Sequence, residues 1–405
     1  MKKLFILLLI LLMLLLLCAC VEVTKYNAND RTPQPTKLPS QLHAPNSSVP
    51  TLTASTPSPT RPVNCDQGHM FEEGSNNCVI CGMDYYLATL EFVLNAEGTG
   101  YHVKRGTCLR ETIIIPDTYN GLPVKCVKLS YSTSGQTDEV TTKVILPNTL
   151  SSIDQGCFRG LESLVSMNIP DGITTIGEQT FKKCESLVDI VIPETVTTIG
   201  EGAFSHCLQL RTITLPKGLT SLGVNAFNSC EALEEITIPD GVTEISIYLF
   251  AWCFSLKTVT YGENVTKIGR GAFKNCVSLE SFTIGEKVTL IEQATFEGCA
   301  SLAAIVIPDT VAEIHADAFK GCENLETVIL GTGIRRLGNN VFQECDELNM
   351  VYYRGTREDW AQVELSEKSL NENITIYFYS ETQPTQPGNY WRYVDGIPAP
   401  WEIEE

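Results

Sequence analysis

"CESLVDIVIPETVTTIGEGAF", residues Cys184 to Phe204, decides the fold. Apolar side chains fall at Leu187, Ile190, Ile192, Val196, Ile199 and Phe204. Alternation over Ile190 and Ile192, stopped by Pro193, reads as a short strand. Val196 to Ile199 reads as a second extended run, and Ala203-Phe204 as a tight turn or one turn of helix. A unit this short cannot bury its own apolar side, but stacked copies can. The copies are present. Phe158, Phe181, Phe204, Phe227, Phe250, Phe273, Phe296, Phe319 and Phe342 recur every 23 residues. Leu164 to Leu348 and Ile176 to Leu337 keep the same step.

The expected fold is a repeat solenoid with 23-residue coils, parallel strands and a short helical or irregular convex side. Leu187, Ile190 and Ile192 match the L-x-x-L-x-L signature of leucine-rich repeats, as do Leu233, Ile236 and Ile238. The pattern I-P-x-x-V-T-x-I-G-x-x-A-F-x-x-C-x-x-L resembles the bacterial BspA-like version. That resemblance implies a surface protein that binds or adheres to other proteins, without fixing the ligand. One departure matters. Ordinary leucine-rich repeats carry Asn or Cys eight residues after the first Leu. Gly172, Thr195, Gly218, Gly241 and Asn264 stand there instead, so no asparagine ladder is expected.

Around the solenoid (146–353), residues 87–145 read as an N-terminal cap with a degenerate first coil. The spacing from Pro116 to Pro147 exceeds one period, and the excess falls in polar Ser130 to Thr142, read as a surface loop. Residues 354–380 read as a C-terminal cap: Thr356 and Asp359 have capping-box spacing, and Ile374 to Tyr379 reads as a strand. Residues 381–405 read as an aromatic, acidic tail.

The N-terminal end points to secretion. Lys2 and Lys3 precede an unbroken apolar run, Leu4 to Leu17, short for a membrane span but suited to a signal peptide. Leu17-Cys18-Ala19-Cys20 resembles the bacterial lipobox, which implies a signal peptide over 1–19 and acylation, palmitate included, of Cys20. The expected location is extracytoplasmic, lipid-anchored to the bacterial cell membrane and exposed at the cell surface. Residues 20–64 then form a tether rich in Pro, Thr and Ser.

Cysteine takes two forms. In 65–86, Cys65, His69, Cys78 and Cys81 have the chemistry of a structural zinc site, with Cys78-Val-Ile-Cys81 as a knuckle. Oxidised or free thiols are the alternative, because the segment is read as extracytoplasmic. No other cofactor is expected. Cys184, Cys207, Cys230, Cys253, Cys276, Cys299, Cys322 and Cys345 form a periodic column. Leu161 holds the equivalent place in the first copy, which marks the slot as apolar and buried. Stacked coils repeat at about 4.8 Å, wider than the Cβ separation of a disulfide. The column is therefore read as reduced thiols packing as small apolar filler.

For binding, the outward residues of the first strand form a Thr-rich, weakly polar face. Its candidate residues are Thr212, Thr214, Thr237, Thr258, Thr260 and Thr283. Threonine also simply favours exposed strands. An envelope glycan is the alternative ligand, bound by the Thr-rich face or by Tyr390, Trp391, Tyr393 and Trp401, because Trp391 to Gly396 is distantly similar to choline- and glucan-binding repeats. A formal charge of −19 argues against nucleic acid and anionic lipid surfaces as partners. The sequence carries no phosphate-loop, nucleophile-elbow or H-E-x-x-H signature; of its five histidines, two lie in solenoid coils at unrelated positions and His69 is the zinc candidate. A non-enzymatic protein is expected.

Overall fold

The computed structural model describes residues 89–108, 110–130 and 138–401. Cys20 and the Cys65, His69, Cys78, Cys81 cluster lie outside the described residues. Within them the chain is a parallel solenoid. Each coil contributes a first strand, such as Asp189–Val191, Thr212–Thr214 or Glu235–Ile238, and a two-residue second strand, such as Thr198–Ile199 or Ser221–Leu222. Register follows the repeat: Thr212 pairs with Asp189, and Ile199 with Leu222.

The third side is built from turns. Each Phe of the repeat is flanked, two residues before and two after, by left-handed backbone. Around Phe227 these are Asn225 (φ 57°) and Ser229 (φ 58°); around Phe250 they are Tyr248 (φ 52°) and Trp252 (φ 61°). This twist sends alternate N–H groups to the next coil: Gly202, Phe204 and His206 donate to Val224, Ala226 and Asn228, each at 2.8 Å. Turns therefore replace the one-turn helix that the Ala-Phe segment also allowed. Among the described residues a single α-helix forms, Arg357–Trp360. Thr356 caps it, with the expected reciprocal bonds to Asp359.

The core is a set of columns. The nine phenylalanines are fully buried and stack with centroids from 5.0 Å (Phe181–Phe204) to 5.7 Å (Phe227–Phe250). Such a buried ring contributes roughly 1.5–3 kcal/mol from area alone. Its regular neighbours hold one offset-stacked geometry. The first-strand ladder is interrupted between Thr212–Thr214 and Glu235–Ile238, and again after Thr258–Tyr261. Tyr261 stands where the coils on either side carry Ile238 and Ile284, and its hydroxyl donates to the Thr283 carbonyl (2.6 Å) and accepts from the Gly285 N–H (3.0 Å). The phenol thus takes the place of strand pairing between these two coils, beside Phe282 at 5.5 Å.

At the N-terminal end, Glu91–Leu94, Tyr101–Lys104, Leu122–Lys128 and Thr118–Tyr119 form a four-stranded cap sheet. Thr112–Ile114 pairs with Lys143–Ile145, so the extra residues between Pro116 and Pro147 leave the coil register intact. The far end of the expected surface loop is buried instead: Asp138 and Thr141 are 0% exposed, and Asp138 pairs with Arg105. At the C-terminal end, Thr375–Tyr379 adds to the first-strand sheet. The segment read as a tail continues it. Tyr390–Val394 pairs in parallel with Thr375–Tyr379, then returns through the Asp395-Gly396 turn to Ile397–Pro400. No helix of the described residues is long and apolar enough to cross a membrane.

Candidate functional site

The first-strand face is the candidate site. Strand alternation puts Ile190, Ile213 and Ile236 inward and their neighbours outward. Thr212, Thr214, Thr237, Thr258, Thr260 and Thr283 are all exposed. Strand pairing sets Thr237 beside Thr260, hydroxyls 2.8 Å apart, and Glu235 beside Thr258. Val191 (77% exposed) and Val306 (44%) occupy the same outward column. The column is uncharged from Val191 to Val306, which is unusual on so acidic a chain.

The column ends at a lid. Ile329 and Tyr352 continue it, but Trp391 covers both and is itself fully buried. The indole N–H donates to the Tyr353 carbonyl at 2.9 Å. This corrects the reading of Trp391 as a glycan platform, because no face of its ring is open to a sugar. Trp401 lies under the Arg392 guanidinium at 3.8 Å and donates to the Ser380 carbonyl. Tyr390 is half-buried and Tyr393 is 39% exposed. The four aromatics thus belong to one hairpin and the sheet it closes. The Asp-Gly pair before Ile397 is the sequence signal that marks this hairpin.

The second-strand face differs. Glu244 and Lys267 meet at 2.9 Å, and Arg336 lies between Glu313 (3.9 Å) and Glu364 (3.7 Å). Hydrogen bonding and attraction from Glu244 hold the Lys267 ammonium above its usual pKa. Charges of alternating sign neutralise one another here, leaving no single-sign patch to steer a partner.

The cysteine column is buried and every member is free, as are Cys108 and Cys126. Packing is half of its role. Each thiol donates to the carbonyl of the Phe one coil back: Cys184 to Phe158, Cys207 to Phe181 and Cys276 to Phe250, at 3.1–3.3 Å. A thiol ladder thus does the inter-coil bonding that asparagine does in other leucine-rich repeats.

The matching family is described as the BspA type leucine rich repeat region, over residues 136–253 and 223–349. The chain belongs to the BspA type leucine rich repeat family. No curated protein matches it. Among solved structures, this BspA type chain is similar to a leucine rich repeat protein of T. pallidum. Identity there is 28%, over 47% of this chain and 88% of the other, with a TM-score of 0.43. A leucine rich cell surface protein of Faecalibacterium prausnitzii is 26% identical over 68% of this chain and 96% of its own, with a TM-score of 0.36. A leucine-rich repeat protein of Bacteroides ovatus is 21% identical, over 72% and 98% respectively, with a TM-score of 0.37.

Proposed function

We propose that this protein is a non-enzymatic bacterial surface lipoprotein that binds an extracellular protein through the first-strand face. The observation that carries the reading is the uncharged, exposed Thr and Val column from Val191 to Val306 on the first-strand side of the solenoid. Thr214, Thr237 and Thr260 offer hydroxyls, and Val191 and Val306 offer apolar area, a mix suited to a protein surface. Cys20 carries the acyl chains, and residues 20–64 tether the solenoid away from the membrane. Cys65, His69, Cys78 and Cys81 hold one structural zinc near the end of that tether.

The test is a solid-phase screen of the ectodomain against extracellular matrix proteins, with a glycan array in parallel. Thr214→Arg, Thr237→Arg and Thr260→Arg together abolish protein binding while changing stability by less than about 1 kcal/mol. A bound protein whose affinity ignores the triple variant removes the face from the proposal. A ligand found only on the glycan array removes the protein partner. Intact mass of the membrane-extracted protein tests the anchor: an unacylated Cys20 ends the lipoprotein reading.

A further inference from the structure

Three side chains at the N-terminal cap have no role in the repeat. His102 lies on the strand Tyr101–Lys104, Cys126 on Leu122–Lys128, and Asp154 directly after Ile153 of the next coil. A register shift between Tyr101 and His102 skips one residue and sets His102 opposite Cys126. Asp154 stands where later coils carry Gly177, Gly200, Gly223 and Gly269. An imidazole nitrogen, the thiol sulfur and a carboxylate oxygen come within 4.8 Å of one another. Cys126 is 3% exposed, yet it lies outside the hydrophobic cluster that takes in the other described cysteines. Its thiol reaches the Val127 carbonyl at 4.0 Å and has the Asp154 carboxylate within 4.8 Å.

We propose that His102, Cys126 and Asp154 form a binding site for a zinc-class divalent ion that clips the cap sheet to the first coil. The donor set of one thiolate, one imidazole and one carboxylate is that of zinc proteins. Tetrahedral zinc needs its ligand atoms roughly 3.5 Å apart. His102 and Asp154 are exposed and close that difference by side-chain rotation, while Cys126 is fixed by its burial. The thiol gives up its proton to water as the metal–sulfur bond forms. Three protein ligands leave the fourth position to water.

The experiment uses the full chain with Cys65→Ser, Cys78→Ser and Cys81→Ser, which removes the other candidate zinc ligands. Zinc or cobalt(II) is added under reducing conditions after chelation. One equivalent binds, and cobalt gives a thiolate charge-transfer band that Cys126→Ser abolishes. His102→Ala and Asp154→Ala each weaken binding by at least about tenfold. Both residues are exposed, so metal-free melting of these variants matches the parent and separates ligand loss from misfolding. No bound metal at micromolar zinc, or undiminished affinity in His102→Ala or Asp154→Ala, overturns the proposal.

Discussion

The Cys230 thiol donates to the Phe204 carbonyl, one coil back, at 3.3 Å. The same oxygen accepts the Cys207 N–H at 3.2 Å, so both of its lone pairs are used. Cys230→Ala removes one bond and leaves a small void between stacked rings. It lowers stability by about 1–2 kcal/mol, read by chemical denaturation. A neutral outcome would return the column to mere filler.

The ladder thiols resist modification in the native state. Burial pushes the Cys253 thiol up to about 12, so almost no thiolate exists near neutral pH. Timed labelling with a charged thiol reagent, followed by peptide mapping, finds all eight ladder cysteines unreacted until the chain is unfolded. Native labelling of several refutes this.

The Arg105–Asp138 pair makes the N-terminal cap acid-sensitive. Burial on its own raises the Asp138 pKa. Hydrogen bonds from Thr141, the Arg105 guanidinium and the Val140 N–H outweigh it, and the carboxyl sits below its usual value. A depressed folded pKa means stabilisation above the unfolded value, about 3.9. That stabilisation disappears as pH falls through the lower, folded pKa. Thermal unfolding followed from pH 6 to pH 2 shows the loss in the parent and a weaker one in Asp138→Asn. At neutral pH, Asp138→Ala costs about 3–5 kcal/mol, because the buried Arg105 charge loses its carboxylate.

Ala294 sits at φ 57°, in the left-handed position that Gly202 and Gly271 fill in other coils. Ala294→Gly relieves its Cβ crowding and raises stability by about 0.5–1 kcal/mol. An unchanged or lower melting temperature contradicts the turn geometry described above.

Trp391→Ala uncovers Ile329 and Tyr352 on the sheet face and removes the bond to the Tyr353 carbonyl. The expected cost is about 3–5 kcal/mol. The uncovered edge also promotes self-association, visible as a shifted elution volume in size-exclusion chromatography. Trp391→Phe keeps most of the cover and costs less. A monomeric, fully stable Trp391→Ala protein denies the hairpin its capping role.

What the residues determined alone is whatever repeats or acts locally. The step from Phe158 to Phe342 dictates stacked coils, because only stacking buries those rings. Alternation about Ile213 and Ile236 dictates which threonines face out. Thr356 and Asp359 dictate a helix start, because side chains three residues apart meet on one turn. Tertiary structure decided the rest. Nothing in Gln179, Tyr248 or Ala294 announces left-handed backbone; inter-coil hydrogen bonds impose it. Trp391 became a lid, and not an open aromatic, only when its strand paired with Thr375–Tyr379. His102, Cys126 and Asp154 meet only through cap-sheet register and the first coil. Local chemistry is written in neighbouring residues, whereas these contacts join atoms that only the closed chain brings together.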